Sequence, residues 1–205
     1  MASILTSLQN TVFAALVLAM LVLLIAVSAL GVTLDHAFGA FIIRWLHVIF
    51  AIMWIGLLWY FNFVQMPSMP KIPDEQKPAI GKVIAPEALY WFRWAAMATI
   101  ITGITLAATN GYLVDAYTLG ASQGFAVPKN ILIGIGMWLA TIMFFNVWFV
   151  IWPNQQKALN IDNAFPDLAA PDKAAAARTA MLFSRTNTML SVPMLFCMVG
   201  AQNLL

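Results

Sequence analysis

The stretch FGAFIIRWLHVIFAIMWIGLLWYFNFVQ, Phe38 to Gln65, decides the fold. Arg44 and His47 are its two basic side chains, it holds no acidic one, and no proline occurs before Pro67. A bilayer core takes about 20 consecutive apolar residues as a helix. The stretch is therefore read as a membrane span. Working outward, four more blocks have the same character: Thr11 to Thr33, Ala88 to Ala108, Asn130 to Trp152 and Ala177 to Ala201. The expected fold is all-α, a polytopic bundle of about five transmembrane helices. No linker, repeat or low-complexity tract divides it, so residues 1–205 read as a single transmembrane domain.

The composition agrees. The chain is 62% hydrophobic and 9% charged, against roughly 25% charged in a soluble domain. So few charges cannot cover a water-facing surface, so the lipid bilayer is the first expected partner. The net charge of +2 gives no reason to expect a nucleic-acid partner. Cys197 is the one cysteine, which excludes an intrachain disulfide and a Cys-based metal site. The CxxCH signature of covalently attached haem is absent. Met1 to Gln9 carries no Lys or Arg, so it lacks the basic start of a signal peptide. The first span is expected to be retained.

Sidedness follows from the basic residues. Lys71, Lys77 and Lys82 lie between the second and third blocks, and Lys157, Lys173 and Arg178 between the fourth and fifth or at that border. Lys129 alone lies in a loop on the other side. Cytoplasmic loops carry the Lys/Arg excess, which puts the N-terminus inside. Trp59, Tyr60, Tyr90, Trp91, Trp94, Trp148 and Trp152 then form an aromatic belt at the inner face. The segment Met66 to Pro86 holds five prolines and is expected to be a stiff, mostly extended inner loop, with at most a short helix from Pro73 to Val83. Pro153 is expected to stop the fourth span.

Polar side chains inside a bilayer are costly and mark candidate sites. Here they are Arg44 and His47, Arg93, Asn146, and Arg185 and Asn187. His47 is a candidate ligand for a haem iron or other metal, with Trp45, Phe50 and Trp54 able to wall a flat ligand. The alternative is a histidine satisfied by a carbonyl or hydroxyl of a neighbouring helix. Arg44, one turn away on the same face, could meet a haem propionate or snorkel outward. His36 lies about 16 Å further along the helix axis, so it cannot grip the same haem and is read as a loop residue beside Asp35. Arg93 and Arg185 suit an anionic ligand or the phosphates of the inner leaflet. The acidic residues all fall in loops or at span ends, which disfavours a proton-driven transporter and a divalent-metal channel.

Four stretches together carry a resemblance. They are RWLHVIFAIMWIGLLWYFNFVQMPSMP from Arg44, KPAIGKVIAPEALYWFRWAA from Lys77, FFNVWFVIWPNQQKAL from Phe144 and SRTNTMLSVPMLF from Ser184. The region Arg44 to Met198 resembles the membrane domain of bacterial membrane-bound urate oxidases, also called urate hydroxylases. The resemblance implies a helical protein of the bacterial inner membrane, linked to respiratory electron flow. In that family a cytochrome c domain follows the membrane part. No such domain is recognisable here, and Thr186 stands in the SRxNT motif where longer members carry a histidine.

Three roles follow. The first is a redox-associated subunit that binds haem b through His47, with Arg44 and Trp54, in a larger membrane complex that can include a cytochrome. The second is a cofactor-free structural or accessory subunit packing on other membrane subunits. The third is an enzyme acting on urate or a similar flat anion, with Arg93, Arg185, Asn146 and Asn187 as contacts.

Overall fold

The computed structural model describes residues 2–205. After a short turn of helix at Ala2–Leu5, the elements are α1 (Leu8–Ala29), α2 (His36–Lys71), α3 (Lys77–Thr109), the short α4 (Leu113–Tyr117), α5 (Pro128–Leu159) and α6 (Ala170–Asn203). There is no β-strand among the described residues. The chain divides into two compact units, Met1–Ile42 and Ile43–Leu205. No change of composition marks the boundary, which falls inside α2.

In the first unit, Ser7 caps α1 by accepting from the Asn10 amide at 3.4 Å. No residue of α1 is buried. A helix apolar all round is at home in lipid. Asp35 opens α2 by accepting from the Phe38 amide at 3.0 Å and from the Thr33 hydroxyl at 2.9 Å. The Phe38 amide bond comes first in holding its carboxyl below the usual aspartate value.

In the second unit the core is built where α2, α3, α5 and α6 meet. Trp54, Leu58 and Phe61 of α2 pack with Leu89, Phe92 and Ala96 of α3, with Met143 and Val147 of α5, and with Met194 of α6. Small residues let helices approach closely, the main device for packing inside lipid. At Gly136 of α5 an added Cβ would lie 3.0 Å from Cys197 Cβ of α6. Hydrogen bonds fasten the same helices: Trp59 Nε1 donates to Ser191 Oγ at 3.0 Å, and Asn62 Nδ2 to Ser184 Oγ at 2.8 Å.

Four helices, α1, α2, α3 and α5, are long and apolar enough to cross a membrane. Helix α6 is long enough, at 34 residues, but its composition is more polar. The reason lies in how its faces are used. Ser184, Asn187 and Ser191 are buried against the bundle, while Leu182, Met189, Val192, Phe196 and Val199 point outward. Averaging along the helix hides an apolar outer face.

Two expectations about proline are corrected. The segment 66–86 is not an extended loop. Helix α2 runs through Pro67 to Lys71 and α3 already starts at Lys77, which leaves residues 72–76 as the connection. Nor does Pro153 stop α5, which continues to Leu159. The cause is the same in each case. A proline lacks the N–H for an α-turn and its ring clashes with the carbonyl four residues back. Here a π-helical stretch precedes the proline: Tyr60–Gln65, Ile80–Ile84 and Asn146–Ile151. The amides of Met66, Ala85 and Trp152, each directly before Pro67, Pro86 or Pro153, donate five residues back to Phe61, Ile80 and Val147. Wider turns of this kind absorb the local misfit without ending the helix.

Candidate functional site

His47 is held on one side of its ring. Nδ1 lies 3.0 Å from the Thr99 carbonyl and 3.1 Å from Thr102 Oγ1, both on α3. The Thr102 hydroxyl has committed its own proton to a helix carbonyl, that of Ala98 at 2.6 Å. Both neighbours of Nδ1 therefore accept, so Nδ1 carries the proton. That leaves Nε2 as the nitrogen with a free lone pair in the neutral ring. A histidine that ligates a metal is characteristically fixed this way, by donating its other N–H to a backbone carbonyl. The neighbouring-helix bond and the ligand role, alternatives in the sequence, are compatible in the structure because they use different nitrogens.

The ring has room because residue 103 is glycine. A Cβ there would lie 3.0 Å from His47 Cε1 and 3.4 Å from Nδ1. Beside it opens a cavity of about 630 Å³ between α2, α3, α5 and α6, within the range of pockets for small molecules and cofactors. Its walls are mainly apolar: Val48, Ile52, Trp54, Ile55, Ile100, Ile104, Ile133 and Val199 among them. Met137, Met194 and Met198 supply thioether sulfurs. Besides His47 and Thr99, its polar groups include Arg44, Tyr112, Gln202 and Asn203, and Tyr117, which is tied to Thr141 Oγ1 at 3.1 Å. Burial pushes the Tyr112 phenol above its ordinary value, and the nearby Arg44 charge pulls it partly back.

Trp54 is fully buried, and its indole Nε1 has no partner although it lines this cavity. A buried donor left unpaired carries a desolvation cost of about 1–3 kcal/mol.

The structure thus brings His47, Arg44 and Trp54 to one cavity. It does not bring Arg93, Arg185, Asn146 or Asn187 there. Asn187 is fully buried, accepts from Asn146 Nδ2 at 2.8 Å and donates to the Met143 carbonyl at 2.9 Å. These two amides fasten α5 to α6. Arg93 lies over two indoles of α5, with Cζ 3.7 Å from the Trp152 ring centre and 5.2 Å from that of Trp148. Arg185 is exposed on α6. No group of three or more His, Cys, Asp or Glu clusters among the described residues. A metal at His47 would thus need most of its ligands from a cofactor. Thr99, Thr102, Gly103 and Tyr112 escaped the sequence reading; a glycine inside the span ITGIT was the available hint.

No curated protein and no solved structure matches the chain. The family described as "Urate oxidase N-terminal" matches residues 108–203. That segment holds α4, α5 and nearly all of α6, and with them the Asn146–Asn187 link and the cavity wall from Tyr112 to Asn203. Over residues 108–203, just under half of its length, the chain is similar to the urate oxidase N-terminal family.

Proposed function

We propose that this urate-oxidase-related membrane domain holds haem b in the His47 cavity and serves electron transfer within a larger complex of the bacterial inner membrane. One observation carries the reading: Nδ1 of His47 is fixed on Thr99 and Thr102, which leaves Nε2 free beside a largely apolar cavity. The chain's own groups fit such a ligand. His47 would supply a nitrogen to hold the group, Gly103 the clearance, Arg44 a cation for a propionate, and Trp54 part of the apolar wall. Met137, Met194 and Met198 line the same cavity and would offer it thioether sulfurs. When bound, haem supplies a one-electron redox centre whose potential depends on axial ligands and burial. The apolar walls exclude water from it.

The membrane frame is part of the same proposal. With α6 as a fifth span, the basic residues at the connected ends of α2 with α3 and of α5 with α6 share one side, the inner side by the charge rule. Twenty residues separate Pro128 from Trp148 of α5, about 30 Å of helix and one hydrocarbon thickness. The aromatic belt then marks the inner interface, and the helix ends carrying Lys71, Lys77, Lys82 and Lys157 project beyond it.

The test is an absorption spectrum of the purified protein. A Soret band in the wild type, lost in His47→Ala and kept in Arg185→Ala, is expected. A wild type reconstituted with haem b that shows no Soret band would refute the proposal. Co-purification of other subunits at fixed stoichiometry without haem would instead favour the accessory role.

A further inference from the structure

Arg93 is a cation without an acceptor among the described residues. Its Nε is sealed from the surface and unpaired, while its terminal Nη groups are not sealed. None of its N–H groups has an acceptor among the described residues, and the ion pair formed there is Lys77–Asp74. The guanidinium is instead steadied by the indoles of Trp152 and Trp148. Tyr90, Trp91 and Trp94 of the same helix are exposed around it, and the Trp94 and Trp148 rings meet edge to face at 5.4 Å. Such a belt of indoles and phenols lies at headgroup depth. A cation at that depth needs a counter-charge, and none comes from the described residues. The planar fork of a guanidinium matches the oxygens of a phosphate.

We propose that Arg93, caged by Trp148 and Trp152, binds the phosphate of an anionic phospholipid. The indoles fix the direction of the fork, and the belt places it where lipid phosphates lie. Arg185 is the internal comparison. It is exposed on α6 and no indole stands over it.

The experiment measures lipid bound to the full chain in mild detergent by native mass spectrometry, with phosphatidylglycerol or phosphatidylcholine added. Wild type should retain phosphatidylglycerol in preference to phosphatidylcholine. Arg93→Gln should retain roughly fivefold less or worse, Arg93→Lys an intermediate amount, and Arg185→Gln nearly the wild-type amount. Trp152→Leu keeps the charge and removes the steadying ring, so it should also bind less if Arg93→Gln does not fold. Equal retention by wild type and both the Arg93→Gln and Trp152→Leu variants would overturn the proposal. So would equal losses in Arg93→Gln and Arg185→Gln, which would indicate diffuse charge attraction. Displacement of the lipid by millimolar inorganic phosphate would show a site for free oxyanions, and would equally overturn the lipid assignment.

Discussion

His47 and Gly103 face each other across α2 and α3 at the limit of contact: a Cβ at residue 103 would stand 3.0 Å from the imidazole Cε1. The histidine's orientation is thus set from two sides, by hydrogen bonds to Nδ1 and by the missing side chain. Gly103→Ala should push the ring by a few tenths of an ångström. The expected result is a weakened or shifted Soret band and a stability loss of about 1 kcal/mol, at the low end for overpacking. Spectra and thermal unfolding in detergent, compared with wild type, measure both.

Thr102→Val tests the hydrogen bond without crowding the ring. The Thr99 carbonyl at 3.0 Å remains, so the imidazole keeps one acceptor. Haem affinity should fall by about tenfold, the lower figure for loss of such a support. Titration with haem gives the number. Unchanged affinity would mean that the Thr99 bond alone fixes the ring.

Asn187 uses both ends of its amide while fully buried. Asn187→Leu leaves the Met143 carbonyl and the Asn146 amide without these partners. The expected cost is about 1–2 kcal/mol, between the average for membrane hydrogen bonds and that for a stranded buried polar group. Thr186→Ala, next along the same helix, removes only an exposed bond to its own helix carbonyl, that of Leu182. It should stay within about 0.5 kcal/mol of wild type. Chemical denaturation of the two variants side by side is the check.

Glycines differ sharply in what they permit. At Gly134 an added Cβ would collide with the Ala116 carbonyl oxygen, a backbone atom that cannot move without carrying α4 with it. Gly134→Ala should therefore fold poorly and lose the monodisperse peak in size-exclusion chromatography. Gly39 of α2 has nothing within 4 Å. Gly39→Ala should stabilise, by roughly 0.5–1 kcal/mol, because alanine costs less backbone entropy in a helix.

What the sequence disclosed follows from what a one-dimensional pattern can carry. Length and hydropathy located α1, α2, α3 and α5, since a bilayer demands apolar length directly. Helical spacing put Arg44 and His47 on one face of α2, and the cavity gathers both with Trp54. Pairing between helices has no such local sign. His47 and Gly103 are 56 positions apart, and nothing in either stretch names the other. The same limit applies to Asn146 and Asn187: the bond from the Asn146 amide to the Asn187 oxygen joins positions 41 apart, and neither stretch names the other. The prolines misled for a different reason: their effect depends on whether the preceding turn widens, and that is a property of the folded ladder.

The three widened turns have a consequence for phase. A π-turn holds more residues than an α-turn, and each residue of an α-helix advances it by about 100°. Beyond residues 60–65, 80–84 and 146–151, side chains are therefore out of step with the pattern of the helix on the other side of the turn. Each of these helices is read in two frames. A substitution scan along α5 should show tolerance rising and falling with one rhythm before Asn146 and an offset rhythm after Ile151. Removing one residue from the widened turn would swing the far segment around by the offset and spare the near one.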